Sequence, residues 1–101
     1  MTDFEKDLYT NLCRMILQIR KSGAYSEPAF VQFMMKMDID VLQKITAIYY
    51  LGDPYNTFAE AIQDIQVSRP YDFTKADCIR KMTDVTIDAL DFHYQRGLAL
   101  L

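Results

Sequence analysis

Apolar residues recur at helical spacing along most of the chain, beginning near the N-terminus. The first run consists of Phe4, Leu8, Leu12, Met15, Ile16 and Ile19. Thr2 followed by Glu5 matches a capping box, in which the side chain of each residue bonds to the backbone of the other. Gly23 is placed to end the helix with a left-handed cap. The pattern therefore predicts a long first helix that ends at Ser22-Gly23.

Three shorter helices are predicted in the middle of the chain. Ser26 before Glu27-Pro28 is typical of a helix start with proline in the first turn, and this helix stops near Asp38. Asp38 is the predicted cap of a third helix that Gly52 closes. Thr57 with Glu60 is a second capping box, which opens a short helix through Gln66. The brief alternation over 65–68 is too short to predict a strand.

The last third of the chain, Thr74 to Leu101, is predicted to form one long helix. Winding it at about 100° per residue leaves apolar side chains over roughly 240° of its circumference. The remaining polar stripe contains Asp84, Asp88, Asp91 and Gln95. An ordinary surface helix has a much narrower apolar face. We therefore expect this helix to lie at the centre of a bundle, to be shared with a second copy, or both.

These segments together predict an all-α fold without a sheet. The chain has only three Gly and three Pro, which favours helices over a turn-rich β fold. We expect one domain over residues 1–101, a compact bundle of four to five helices with long N- and C-terminal helices.

Charge and composition argue against several classes of partner. The net charge of −3 and the interspersed acids and bases do not form the clustered basic face that nucleic acids require. The acidic residues around Asp38 make a DNA-binding helix-turn-helix a poor fit there. No apolar run approaches a membrane span, and the N-terminus lacks the features of a signal peptide. Cys13 and Cys78 show no paired spacing, so we expect a cytoplasmic protein with reduced thiols.

Few residues suggest site chemistry. The acidic stripe is interpreted as the solvated face of its helix, and no spacing of His, Cys or carboxylates predicts a metal or another cofactor. His93 falls in the apolar arc of the last helix, and Arg96 lies at its edge. One interpretation makes His93 a hydrogen-bonded core residue; another makes it part of a polar pocket with Arg96 and tyrosine hydroxyls. A single histidine without a recognisable partner does not indicate an enzyme.

The excess of apolar helical surface instead predicts a non-enzymatic protein-protein interaction or regulatory module. We expect it to self-associate as a homodimer and to bind a protein partner. Large aromatic and methionine side chains suit such contacts. The candidate partner or ligand contacts are Phe30, Phe33, Met34, Tyr94, His93 and Arg96. The alternative is a helical oligomer that binds a nucleotide or metabolite in a pocket lined by Tyr, Arg and His side chains.

Overall fold

Six α-helices account for most of the chain in a computed structural model that describes residues 1–101. They are α1 (Asp3–Lys21), α2 (Glu27–Met35), α3 (Ile39–Tyr50), α4 (Phe58–Ile62), α5 (Lys75–Asp84) and α6 (Ile87–Ala99). A π-helical segment, Gln63–Ser68, continues α4, and a 3-10 turn, Pro70–Asp72, precedes α5. The all-α class without strands is confirmed. The number of helices exceeds the predicted four to five.

The helix ends follow the capping signals only in part. Thr2 Oγ1 accepts a hydrogen bond from the Glu5 N–H at 3.1 Å, and Glu5 Oε1 accepts one from the Thr2 N–H at 3.3 Å. The capping box is therefore present. The left-handed cap expected at Gly23 is wrong, because Ser22, the residue after α1, has extended backbone and Gly23 does not have a positive φ. The one residue with positive φ is Gly52, at 99°, immediately after α3.

The predicted single helix over 74–101 is also wrong, because the chain breaks between α5 and α6. Val85 and Thr86 both have extended backbone, and Thr86 caps α6 by accepting a hydrogen bond from the Ala89 N–H at 3.1 Å. Asp84 consequently belongs to α5, whereas Asp88 belongs to α6. The acidic residues do not form one continuous helical stripe.

Arg20, in the last turn of α1, stabilises this break. It donates hydrogen bonds to the carbonyl oxygens of Met82 at 2.5 Å and Val85 at 2.9 Å. The last carbonyl groups of a helix have no partner within the helix itself. Arg20 supplies partners at the end of α5, so the helix can stop there without leaving these groups unsatisfied.

The centre of the fold is α3 rather than the C-terminal segment. Seven of its twelve residues are buried, and it packs against α4, α5 and α6. α1 packs against α6, and α2 packs against α5. The close approach of α6 to α3 depends on Gly97, because a Cβ atom there would lie 1.9 Å from the carbonyl oxygen of Ile48. The two helices therefore meet backbone to backbone.

A smaller cluster anchors the segment between α3 and α5. Ala47, Tyr55, Ala61 and Ile65 pack together there. The Tyr55 hydroxyl donates a hydrogen bond to the Asp64 carboxylate, and Arg69 donates to the same carboxylate from Nε at 3.0 Å and from Nη2 at 2.6 Å. These bonds hold the pKa of Asp64 below its usual value, with Arg69 the larger cause.

Candidate functional site

The exposed side of α1 carries a row of large apolar side chains. Phe4 is 77% exposed, Leu8 49% and Met15 37%. Winding the helix at about 100° per residue places the three within roughly 40° of one another. The buried residues of α1 lie on a different face: Tyr9, Cys13, Ile16 and Leu17. The apolar surface of α1 thus extends beyond its buried part, and the outward portion, here called the α1 stripe (Phe4, Leu8, Met15), is open to solvent.

Two charges of opposite sign border the α1 stripe on the same edge. Asp7 and Arg14 are seven residues apart, two helical turns, and both are exposed. Neither forms an ion pair within the chain. By contrast, Lys21 of α1 pairs with Asp91 at 3.1 Å. The α1 stripe therefore has an unpaired acid toward its N-terminal end and an unpaired base toward its C-terminal end.

An apolar depression of about 240 Å³ adjoins the C-terminal end of α1. Its lining includes Ile19, Tyr25, Phe30 and Phe33. Phe30 is buried and stacks edge to face with Tyr25 at a ring-centroid distance of 5.8 Å, while Phe33 is 37% exposed. Of the aromatic residues predicted as contacts on α2, Phe33 is the one that offers surface to a partner.

Three predicted contact residues lie in the core, where the chain itself covers them. Phe30, Met34 and Tyr94 are almost fully buried, and the Tyr94 hydroxyl donates a hydrogen bond to the Met82 sulfur. Helical spacing indicates that these residues belong to an apolar face. It does not say whether that face is turned inward. The structure leaves Phe33, His93 and Arg96 of the predicted set with surface to offer.

His93 and Arg96 lie together at the junction of α6 with the end of α3. Arg96 Nε donates a hydrogen bond to the Leu51 carbonyl oxygen at 3.0 Å, and Arg96 Nη2 lies 3.0 Å from His93 Nδ1. The His93 ring packs on Tyr49 with a centroid distance of 4.5 Å and an angle of 40° between the ring planes. These contacts tie α6 to α3 on the side away from α1.

The geometry also indicates the tautomer of His93. A guanidinium group has only donors, so the Nδ1 atom facing Arg96 must be an acceptor, and the neutral ring then carries its proton on Nε2. Burial lowers the pKa of His93, and the positive charge of Arg96 lowers it further, although Asp53 acts in the opposite direction. The cluster therefore favours an uncharged histidine used for packing and as a hydrogen-bond acceptor.

A cavity of about 260 Å³ lies beside this cluster, between α3 and α5. Tyr50, Arg80 and Lys81 line it together with the carboxylates Asp72, Asp77 and Asp84. The Lys81 ammonium group lies 5.3 Å from the centre of the Tyr50 ring. His93 and Arg96 do not line this cavity. The predicted Tyr, Arg and His residues therefore divide between a packed cluster and a cavity of mixed charge.

The acidic residues and the thiols show local pairing or burial. Asp91 accepts hydrogen bonds from Gln95 at 2.8 Å and Lys21 at 3.1 Å, which hold its pKa below the usual value. No group of three or more His, Cys, Asp and Glu side chains is arranged to hold a metal ion. Cys13 and Cys78 are free and buried, and burial raises the pKa of Cys13 to about 12.

Comparisons with known proteins do not assign the chain to a family. No helix of the structure is long and apolar enough to cross a membrane. No family model matches the chain, and no curated protein or solved structure is found to be similar to it.

Proposed function

We propose that the protein is a non-enzymatic interaction module that regulates or assembles other proteins through the α1 stripe. The observation that carries this proposal is the row formed by Phe4, Leu8 and Met15 on a helix that already packs against α6 by its opposite face. Single exposed apolar residues are ordinary, but several of them aligned on one side of a helix favour an interaction surface.

The α1 stripe replaces the C-terminal segment as the proposed contact element. In α5 and α6 the apolar arc is largely internal, with Ile79, Met82, Leu90 and Tyr94 buried. Phe92 is an exception at 61% exposure, but it stands alone beside the Arg96 side chain. The proposal includes self-association and a cytoplasmic location, since two unpaired thiols suit a reducing compartment.

The energy available at the α1 stripe fits reversible binding. Full burial of a Leu, Phe or Met side chain contributes about 1.5–3 kcal/mol. These three side chains are already partly covered, and association has an entropic cost of several kcal/mol. We therefore expect a weak, exchangeable contact that a single charged substitution in the row is sufficient to abolish.

The test compares the full chain with its Leu8→Glu variant. A tagged protein is used to capture partners from the cells that produce it, and the retained proteins are identified by mass spectrometry. We expect Leu8→Glu to lose the partners that the unaltered chain retains, because a carboxylate in the row must be desolvated on binding. Phe92→Glu is the matched control, since it places the same charge on an exposed aromatic position of α6. Equal capture by Leu8→Glu and the unaltered chain, with both folded, would show that the α1 stripe is not the contact surface.

A second candidate function is the binding of a small ligand, a nucleotide or metabolite, in the cavity beside α5. The observation that favours it is the Lys81 ammonium group next to the Tyr50 ring, in a cavity whose other polar side chains are Arg80 and three carboxylates. The test is a thermal-shift screen, because a ligand that binds only the folded state raises the unfolding temperature. A shift that Lys81→Met abolishes would support this function, and the absence of any shift would contradict it.

A further inference from the structure

We propose that the partner of the α1 stripe is a second copy of this chain, whose α1 packs antiparallel to the first across a two-fold axis. This inference rests on the proposed function and specifies the partner and its orientation. It follows from three features of α1: the order of its charges, the position of its apolar residues, and the depression at its C-terminal end.

The charges on the edge of the α1 stripe are complementary to themselves when the helix is reversed. Asp7 and Arg14 lie on one edge, and both lack an ion-pair partner in the chain. In an antiparallel pair related by a two-fold axis, the same edge of each helix lies on the same side of the pair, so the two equivalent edges face each other. Asp7 of each copy then lies opposite Arg14 of the other, which makes two equivalent ion pairs. In a parallel pair, Asp7 would instead lie at the height of Asp7 of the second copy.

The apolar residues place the two-fold axis at almost the same point along α1 as the charges do. Phe4 lies opposite Met15 of the second copy when the axis passes between positions 9 and 10. Asp7 lies opposite Arg14 when it passes between positions 10 and 11. These two axes differ by only about 1.5 Å along the helix, the rise of one residue. One antiparallel arrangement therefore satisfies both sets, and it places Leu8 near the axis where the two helices are closest.

The depression beside α2 fits the end of this arrangement. Side chains on a helix lean toward its N-terminus, so Phe4 is directed beyond Met15 of the second copy, toward its Ile19. Ile19 lines the apolar depression of about 240 Å³, together with Phe33. Phe4, the most exposed large apolar side chain of the protein, thus faces the apolar depression of the second copy.

The size of this contact predicts a weak dimer. α1 has 19 residues, and a helix of this length is about 28 Å long. A single helix pair falls in the class of small, transient interfaces below about 1,200 Å². We expect a dissociation constant of about 10 µM to 1 mM.

The test reverses the two charges separately and then combines the variants. In the Asp7→Arg variant, both contacts between positions 7 and 14 of the two copies join two arginines. In the Arg14→Asp variant, both contacts join two carboxylates. Each single reversal should weaken self-association on the order of tenfold, because two attractive contacts become repulsive. An equimolar mixture of the two variants should associate again, since the opposite charges then face each other. Sedimentation measures the association of the two variants and of their mixture. The protein concentration runs from about 10 µM to 1 mM, the range of the expected dissociation constant.

Controls and outcomes separate this inference from the proposed function. Asp88→Arg on α6 makes the same change in net charge as Asp7→Arg at an exposed residue and should leave association unchanged. Circular dichroism establishes that each variant is folded. A chain that stays monomeric throughout this range, or a dimer that is unaffected by both single reversals, overturns the inference. In either case, partner capture that depends on Leu8 would still support the proposed function.

Discussion

The contact between α3 and α6 makes Gly97→Ala the most informative single substitution in the fold. A Cβ atom at position 97 would lie 1.9 Å from the Ile48 carbonyl oxygen, 2.8 Å from the Ile48 carbonyl carbon and 2.9 Å from the Ile48 Cγ2 atom. Two of these three atoms are backbone, so no side-chain rotation relieves the clash. Ordinary carbon-to-oxygen contacts are about 3.3–3.6 Å. The two helices must therefore separate by roughly 1 Å or more to accept the methyl group.

The cost of that separation exceeds the benefit of alanine to the helix. Alanine stabilises a helix interior by about 0.8–1.0 kcal/mol relative to glycine. Overpacking a close-packed interior typically costs about 1–3 kcal/mol and sometimes more. Here the displaced helix carries Leu90 and Tyr94, which are fully buried, so gaps open around them as well. We therefore expect a net loss toward the upper end of the difference, about 1–2 kcal/mol in the free energy of unfolding.

Thermal and urea unfolding followed by circular dichroism measure this loss. For a domain of this size, about 1 kcal/mol corresponds to 4–8 °C in Tm, so the melting temperature should fall by about 5–15 °C. Gly23→Ala is the matched control, because no atom lies within 4 Å of a Cβ at that position. Its φ is not positive, so it should be neutral or slightly stabilising. A Gly97→Ala variant as stable as the unaltered chain would show that α6 does not meet the α3 backbone.

Further predictions concern the helix break, the acidic residues and the histidine. Arg20→Met should lower the free energy of unfolding by about 2 kcal/mol in urea titrations, because two carbonyl groups at the end of α5 lose a charged donor. The control is Arg80→Met, which removes an exposed ion pair and should change the free energy of unfolding by less than about 1 kcal/mol. Asp84→Asn and Asp88→Asn should each change the free energy of unfolding by no more than about 0.5 kcal/mol, because both residues are exposed and neither forms an ion pair. A larger loss of stability would mean that these carboxylates have a structural role. The pKa of His93 is lowered in the folded state, so its protonation favours unfolding. Its effect is absent above the unfolded pKa of about 6.5 and grows as the pH falls from there toward the folded pKa. His93→Phe should therefore reduce the loss of stability between about pH 6.5 and pH 5, and an NMR titration that gives a pKa at or above 6.5 would contradict the packed geometry.

The helix break shows why local pattern failed in the last third of the chain. Periodicity continues through Val85 and Thr86 without a Gly or Pro, so the sequence contains no strong stop signal. Thr86 is a suitable N-cap, but the residue three positions later is Ala89, and the capping-box pattern is therefore missing. Besides Thr86, the residue that bonds to the backbone at the break is Arg20, which is more than 60 residues away in sequence. A hydrogen bond over that distance is not visible in any local window.

The α1 stripe illustrates the opposite case, in which the pattern was present but its orientation was undetermined. Phe4, Leu8 and Met15 follow helical spacing just as the buried residues of α1 do, including Cys13 and Ile16. Winding the helix places all of them in one wide apolar arc, every part of which resembles core. Which part is covered depends on where α6 packs.

Local chemistry in the sequence determined the all-α class, the capping box at Thr2 and the turn at Gly52, because hydrogen bonds and backbone preferences within a few residues decide them. Tertiary structure alone decided that α3 is central, that Tyr94 is core and that His93 lies against Tyr49 and Arg96. It also left the α1 stripe uncovered. The physical reason is that burial is a property of a pair of surfaces: periodicity identifies an apolar face, and only the packing of another helix determines whether that face becomes core or remains open to a partner.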